Sequence, residues 1–337
     1  MSFNEIWFLL IAVLFTGFFF LEGFDFGVGM AVRRIADNDL ERRTVIHTIG
    51  PFWDANEVWL ITAAGAMFAA FPHWYATLFS GYYSLLVLVL LALICRGVAF
   101  EFRGKAEGEG WRKLWDAAIW IGSFVPPLLL GVLFAGTLKG VPIGRDMEMN
   151  ARLVDIFNGY SLLGGAVVVG LCWLHGLVFL SLRTSGKLRE RARTKALRWL
   201  PWQAALLSGF AVLTVYSTDL AARRELWLIL ALVLGAASVL LAGFFLRRGR
   251  EGWGFVMTGF QIVLLFATLF IGLFPRLMVS SMADEFALTV FNAASGEYTL
   301  RAMTVVAVVL LPFVVGYQAW SYFVFHKRIT NRDHLEY

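Results

Sequence analysis

Residues 6–32 read IWFLLIAVLFTGFFFLEGFDFGVGMAV, an apolar run with no basic residue and just two acids, Glu22 and Asp25. About 20 apolar residues suffice to cross the hydrocarbon core of a bilayer. The run therefore predicts a membrane-spanning helix and sets the fold class as an all-α integral membrane protein. An acid at that depth costs about 2.5–3.5 kcal/mol on insertion scales, so it persists where it faces a protein interior or a wet path. A second pair, Asp54 and Glu57, opens the next apolar run. The four acids read as a site.

Working outward, composition agrees with the class. Hydrophobic residues make up 59% of the 337 positions and charged ones 16%, against about 25% in soluble domains. The net charge of +5 raises the question of nucleic acid, but the basic residues lie in short loops between apolar runs, where membrane orientation places them. No nucleic-acid partner is expected. Cys95 and Cys172 each lie inside an apolar run without a CxxC pattern, so both read as buried free thiols. The opening Met-Ser-Phe-Asn-Glu-Ile-Trp lacks a basic signal region, and the first span is expected to be retained.

A 20-residue ruler predicts about nine spans in a single transmembrane domain over 1–337: 6–32, 52–71, 78–101, 115–137, 160–182, 200–218, 225–246, 254–273 and 303–326. Pro126, Pro127 and Pro312 fall inside spans and are expected to kink them. Basic residues in short loops stay in the cytoplasm. With the N-terminus outside, twenty-two of the 29 Lys and Arg fall in inner segments and seven in outer ones, which favours N-out, C-in. Trp7, Trp74, Tyr75, Trp115, Tyr160, Trp199 and Trp253 lie near span ends, as interfacial anchors do.

That orientation gathers the acids. Glu22 and Asp25 lie roughly 4–9 Å past the centre of the first span at 1.5 Å per residue, and Asp54 and Glu57 begin the second span at the same depth. Each pair is spaced i, i+3, so its members share a helix face one turn apart. Two adjacent helices can thus present a line of protonatable groups leading in from the cytoplasm, and proton relay is the natural chemistry. The bland alternative is that the acids cap helix ends or pair with Arg33 and Arg34. It suits Asp54 and Glu57, in the favourable first turn of a helix, better than Glu22, which is more than two turns from Arg33. Gly23 and Gly27 form a small-xxx-small pair for close helix packing. On the third span, Arg96, Glu101 and Arg103 read either as snorkelling ends that pair with one another or, for Arg96, as the cation that neutralises a neighbouring acid.

Redox chemistry would need ligands at depth. Only His175 of the five histidines lies within a span, and a lone histidine there reads first as a hydrogen-bonded helix residue. No haem ligand, metal ligand or catalytic residue is assigned to this chain. Inward-facing acids leave open an ion-coupled secondary transporter or a purely structural scaffold.

The runs from Glu22 to Met30, Gly50 to Ile61 and Arg96 to Arg103 resemble subunit II of the bacterial cytochrome bd-type quinol oxidases. Gly122 to Pro127, Gly140 to Pro142, Phe274-Pro275 and Leu288 to Leu300 extend the similarity along essentially the whole chain. The resemblance implies a multi-pass subunit of the bacterial cytoplasmic membrane, built as two four-helix-bundle-like halves plus one peripheral helix. It implies a haem-bearing subunit I that holds haem b and haem d, with quinol and oxygen as substrates of the complex and membrane lipid around it. The family's cytoplasmic proton path carries over to Asp25 and Asp54, with Glu22 and Glu57 as neighbours and Arg96 and Glu101 as supporting charges. Trp59 matches a tryptophan placed near oxygen access from the bilayer. Some members hold a structural quinone or a small single-helix accessory subunit, for which this sequence assigns no residues. The loop around 218–225 is very short, as in the short forms that include the cyanide-insensitive oxidases.

Overall fold

The computed structural model describes residues 1–106 and 108–329, which are almost wholly helical. Helix α1 (Phe3–Ile35) is followed by α2 (Asp39–His47), α3 (Trp53–Ala70), α4 (Pro72–Gly81), α5 (Tyr83–Phe102) and α6 (Glu109–Lys139). Beyond the one-turn α7 (Leu153–Ile156) come α8 (Gly159–Arg183), α9 (Gly186–Ser217), α10 (Leu220–Arg223), α11 (Glu225–Arg247) and α12 (Glu251–Leu273). An antiparallel ribbon of β1 (Arg276–Met278) and β2 (Leu288–Thr289) leads into α13 (Glu297–Val324). Arg332 and His334 of the tail lie outside the described residues.

Eight described helices are long and apolar enough to cross a membrane: α1, α5, α6, α8, α9, α11, α12 and α13. The expected second span, 52–71, is occupied by α3, which is not among the eight because its 18 residues include Asp54, Asn56 and Glu57. The expected third crossing is broken at Tyr82, so only Tyr83–Phe102 runs on as one long helix. Helices α6 and α13 continue through their prolines.

Helices α1, α3, α5 and α6 form one group of four, and α8, α9, α11 and α12 a second. The groups join where α1 and α6 lie against α8, and where α1 lies against α12. Helix α13 packs mainly on α1 and α3 and is otherwise exposed, the peripheral member of the set.

Between helices in lipid, association rests on close packing rather than on expulsion of water. Two features of α1 supply it. Phe15 and Phe19 meet Phe134, Phe266 and Phe270, with Phe19 stacked on Phe266 at 4.0 Å between ring centroids. Such pairs are worth about 0.5–1.5 kcal/mol each beyond simple contact. Two helical turns further on, Gly27 lies directly on the backbone of Gly176 and Cys172 in α8, with no room for a Cβ. Gly23 is different: a Cβ there would meet only Ile262 and Cys172 Sγ, at 3.4 and 3.6 Å. Of the small-xxx-small pair, Gly27 is the contact. Cys172 is buried as expected, whereas Cys95 is exposed because it lies on the outward face of α5.

At the basic end an ion-pair network ties α2, α5 and α6 together. Arg103, 4% exposed, bonds Asp116 through Nε at 2.6 Å and Asp39 through Nη2 at 2.7 Å. Arg42 and Arg112 extend it to the same two acids, each at 3.3 Å. Partial burial works against ionisation of Asp39, but Arg103 and Arg112 outweigh it and hold the carboxyl below its ordinary value of 3.8. At the opposite end Asp219, in the short loop before α10, bonds Arg276 at 2.8 Å.

Two outcomes follow from this packing. Gly27→Ala forces α1 off α8 and should lower the melting temperature of the purified protein, with overpacking of this kind costing about 1–3 kcal/mol. Gly23→Ala should leave it nearly unchanged. Because the folded-state pKa of Asp39 is depressed, its contribution is full above the ordinary carboxylate value and is lost as pH falls through the folded value. The melting difference between wild type and Asp39→Asn should therefore hold near neutrality and close only below about pH 4.

Candidate functional site

Three helices of the first group converge on one buried cation. Glu22 and Asp25 project from one face of α1, Asn56 and Glu57 from the first turns of α3, and Arg96 from the C-terminal half of α5. Arg96 Nη1 donates to Glu22 Oε1 and, at 3.0 Å, to Glu57 Oε1. Arg96, Glu22 and Asp25 are fully buried, and Glu57 keeps 20% of its side chain exposed. The guanidinium also lies over the rings of Phe26 and Phe100, at 4.9 and 5.3 Å from their centroids. A cation over an aromatic face gains a further electrostatic contact. Gly122 of α6 makes the space: a Cβ there would overlap Arg96 and the carbonyl of Ala92.

Asp25 takes a different partner. Its Oδ2 accepts from Asn56 Nδ2 at 2.7 Å. Asn56 Oδ1 in turn accepts from Gln318 Nε2 at 3.1 Å and from the Tyr322 hydroxyl at 2.8 Å. Gln318 Oε1 accepts from Trp59 Nε1 at 2.8 Å. The polar cluster thus reaches α13, whose remaining surface is apolar and exposed. The signal for this was present in the sequence, since Gln318 and Tyr322 stand i, i+4 on one face of an apolar helix. Asn56 was readable too, between two acids at the start of a span.

Of the expected site residues, Glu22, Asp25 and Glu57 are brought together with Arg96. Asp54, one turn before Glu57, is exposed at the rim. The pairing of Arg96 and Arg103 with Glu101 is not what forms. Five residues along an α-helix carry Glu101 about 140° around from Arg96, and Glu101 is exposed. Arg103 pairs with Asp116 and Asp39 instead, leaving Arg96 to the acids of α1 and α3. Trp59 lies with its ring against Gly17, where a Cβ would collide with it, and lines an apolar groove of about 930 Å³ between α1, α12 and α13.

His175 is fully buried in α8, bonded through Nδ1 to Thr258 Oγ1 at 2.8 Å and stacked on Phe255 at 4.3 Å, with Phe20 and Phe24 closing around it. This is a packed helix residue, and its surroundings do not fit a haem. Among the described residues no three His, Cys, Asp or Glu side chains are grouped to hold a metal ion. Carboxyls in a buried setting are groups able to hold a proton. Three carboxyls face one guanidinium in a water-poor setting, and uncompensated charge there is costly, so protons are the means of balancing the remainder.

Comparison with known proteins gives the setting for this cluster. The family model for cytochrome bd terminal oxidase subunit II matches residues 3–325. The chain is 52% identical over 336 residues to the cytochrome bd ubiquinol oxidase subunit 2 of Bacillus subtilis, covering 100% of this chain and 99% of that one. It is 39% identical to the cytochrome bd-I ubiquinol oxidase subunit 2 of Escherichia coli strain K12, covering 97% and 95%. In fold it is similar to a chain of the bd oxidase from Geobacillus thermodenitrificans, with a TM-score of 0.76 at 19% identity over 97% of this chain and all of that one. The helices apolar enough to cross a membrane, the architecture and a family match that spans residues 3–325 place this chain in the cytochrome bd terminal oxidase subunit II family.

Proposed function

We propose that the chain serves a quinol-oxidising, oxygen-reducing complex as its non-haem subunit, lending the haem-bearing subunit I an intramembrane carboxylate path for protons drawn from the cytoplasm. The observation that carries this is the convergence of Glu22, Asp25 and Glu57 on Arg96 in the half of the bundle nearer the basic end. In an N-out, C-in arrangement of nine crossings, with α3 as the second, that half faces the cytoplasm. Exposed Asp54 then stands at the mouth, Glu57 one turn deeper, and Glu22 and Asp25 at the inner end. Haem b and haem d belong to the partner, in keeping with a His175 that is packed away. Trp59, on the apolar groove, suits oxygen access from the bilayer. Family membership leaves the transporter reading without an observation of its own, and a purely structural scaffold is the reading the tests below separate.

In the assembled oxidase, Asp25→Asn and Asp54→Asn should slow quinol-driven oxygen consumption on the order of tenfold, with the haem b and haem d bands of the visible spectrum retained. Wild-type turnover in both would remove the relay, and loss of turnover only in step with loss of haem would make the acids structural. Arg96→Leu leaves Glu22 buried without its cation, a change worth about 3–5 kcal/mol. It should reduce recovery of the assembled complex sharply, while Arg96→Lys, which keeps the charge, should recover much of it.

A further inference from the structure

An indole donates through Nε1 and never accepts, whereas a carboxamide donates at one end and accepts at the other. The two ends of an amide have nearly the same shape, so its orientation is chosen by hydrogen-bond partners. Trp59 Nε1 at 2.8 Å from Gln318 requires the Gln318 oxygen to face it. The Gln318 NH2 then faces Asn56 and requires the Asn56 oxygen there, at 3.1 Å. The Asn56 NH2 is left facing Asp25 Oδ2 at 2.7 Å. With Asp25 neutral, neither of the other neighbours makes that choice. The Tyr322 hydroxyl, 2.8 Å from Asn56 Oδ1, can donate or accept. Asp25 accepts when ionised and can donate when protonated.

Resting on the reading of Asp25 as a proton carrier, the geometry points to Trp59 as the positioning residue that sets the sense of a one-way hydrogen-bond chain, Trp59 to Gln318 to Asn56 to Asp25, and so assigns the proton of neutral Asp25 to Oδ1. Oδ2 is committed to accepting from Asn56. Asp25 Oδ1 and Glu22 Oε2, both buried, meet no N–H or O–H donor among the described residues. Glu22 stands one turn before Asp25 on the same face of α1, so its carboxyl is the neighbouring proton-accepting group on that helix. The chain therefore keeps the proton of Asp25 off the oxygen that faces Asn56 and, through it, α13. Gly17 takes part indirectly, since its missing Cβ is what lets the indole ring lie where Nε1 reaches Gln318.

The test is infrared spectroscopy of the assembled oxidase at the acid end of its stable range, with the Asp25 carboxyl band identified as the one absent from Asp25→Asn. In wild type the carbonyl, at Oδ2, accepts from Asn56. Trp59→Phe keeps a ring against Gly17 but removes the donor, and Gln318→Leu removes the next link. Both should move the band to higher wavenumber, because Asn56 is no longer held as a donor to that carbonyl. Tyr322→Phe removes a contact to the same Asn56 atom without touching the sense of the chain and should leave the band in place. A band unmoved in Trp59→Phe, or moved as far by Tyr322→Phe, overturns the assignment. Turnover of Asp25→Asn decides the relay separately, so either idea can fail alone.

Discussion

The guanidinium of Arg96 is the constraint on which the first helical group depends. It is fully buried, bonded to Glu22 of α1 and Glu57 of α3, and set between two aromatic rings. In a medium with little water a charge cannot be left unpaired, so the three helices must meet at this one depth and rotation. That requirement explains local choices that otherwise look unrelated. Gly122 clears a space on α6, Glu22 is turned away from lipid, and α3 begins with polar residues at the cost of apolar length.

Around that cluster the molecule is held by surface contact. Phenylalanines of α1 interlock with those of α6 and α12, and Gly27 with Gly176 lets α1 and α8 touch backbone to backbone. At the end opposite the basic one, Trp7 donates to the carbonyl of Leu300 and the hydroxyl of Thr304, and Ser295 bonds the carbonyls of Ala69 and Ala70. These contacts, with the polar triad at Asn56, fix α13, a helix that buries little else. A peripheral helix attached through the buried polar cluster is therefore part of that cluster's geometry.

Much of the site was legible. Four acids in apolar runs, at i, i+3 spacing, can be read without coordinates because acids at depth are expensive and helical spacing fixes which face they share. The reading of Arg96 as a counter-ion was also available, though not separable from a snorkelling end paired with Glu101. Asn56, Gln318 and Tyr322 went unread because a neutral polar side chain costs less in a span than a charge and so stands out less. The separation of exposed Asp54 from buried Glu57, three residues later, depends on where α3 meets its neighbours.

By itself the sequence determined the class, the number and rough bounds of most apolar helices, the basic end and the candidate acids, because hydropathy and charge along a chain are local properties that a bilayer sorts directly. Only the tertiary structure decided which acid Arg96 neutralises, that Gly27 rather than Gly23 makes the close contact, that the third expected crossing breaks at Tyr82, and that a helix from the end of the chain orients Asn56 beside Asp25. Each of these turns on which faces of distant helices meet. Lipid accepts many rotations of an apolar helix almost equally, and the choice among them rests on packing and hydrogen bonds between residues as far apart as Asn56 and Tyr322.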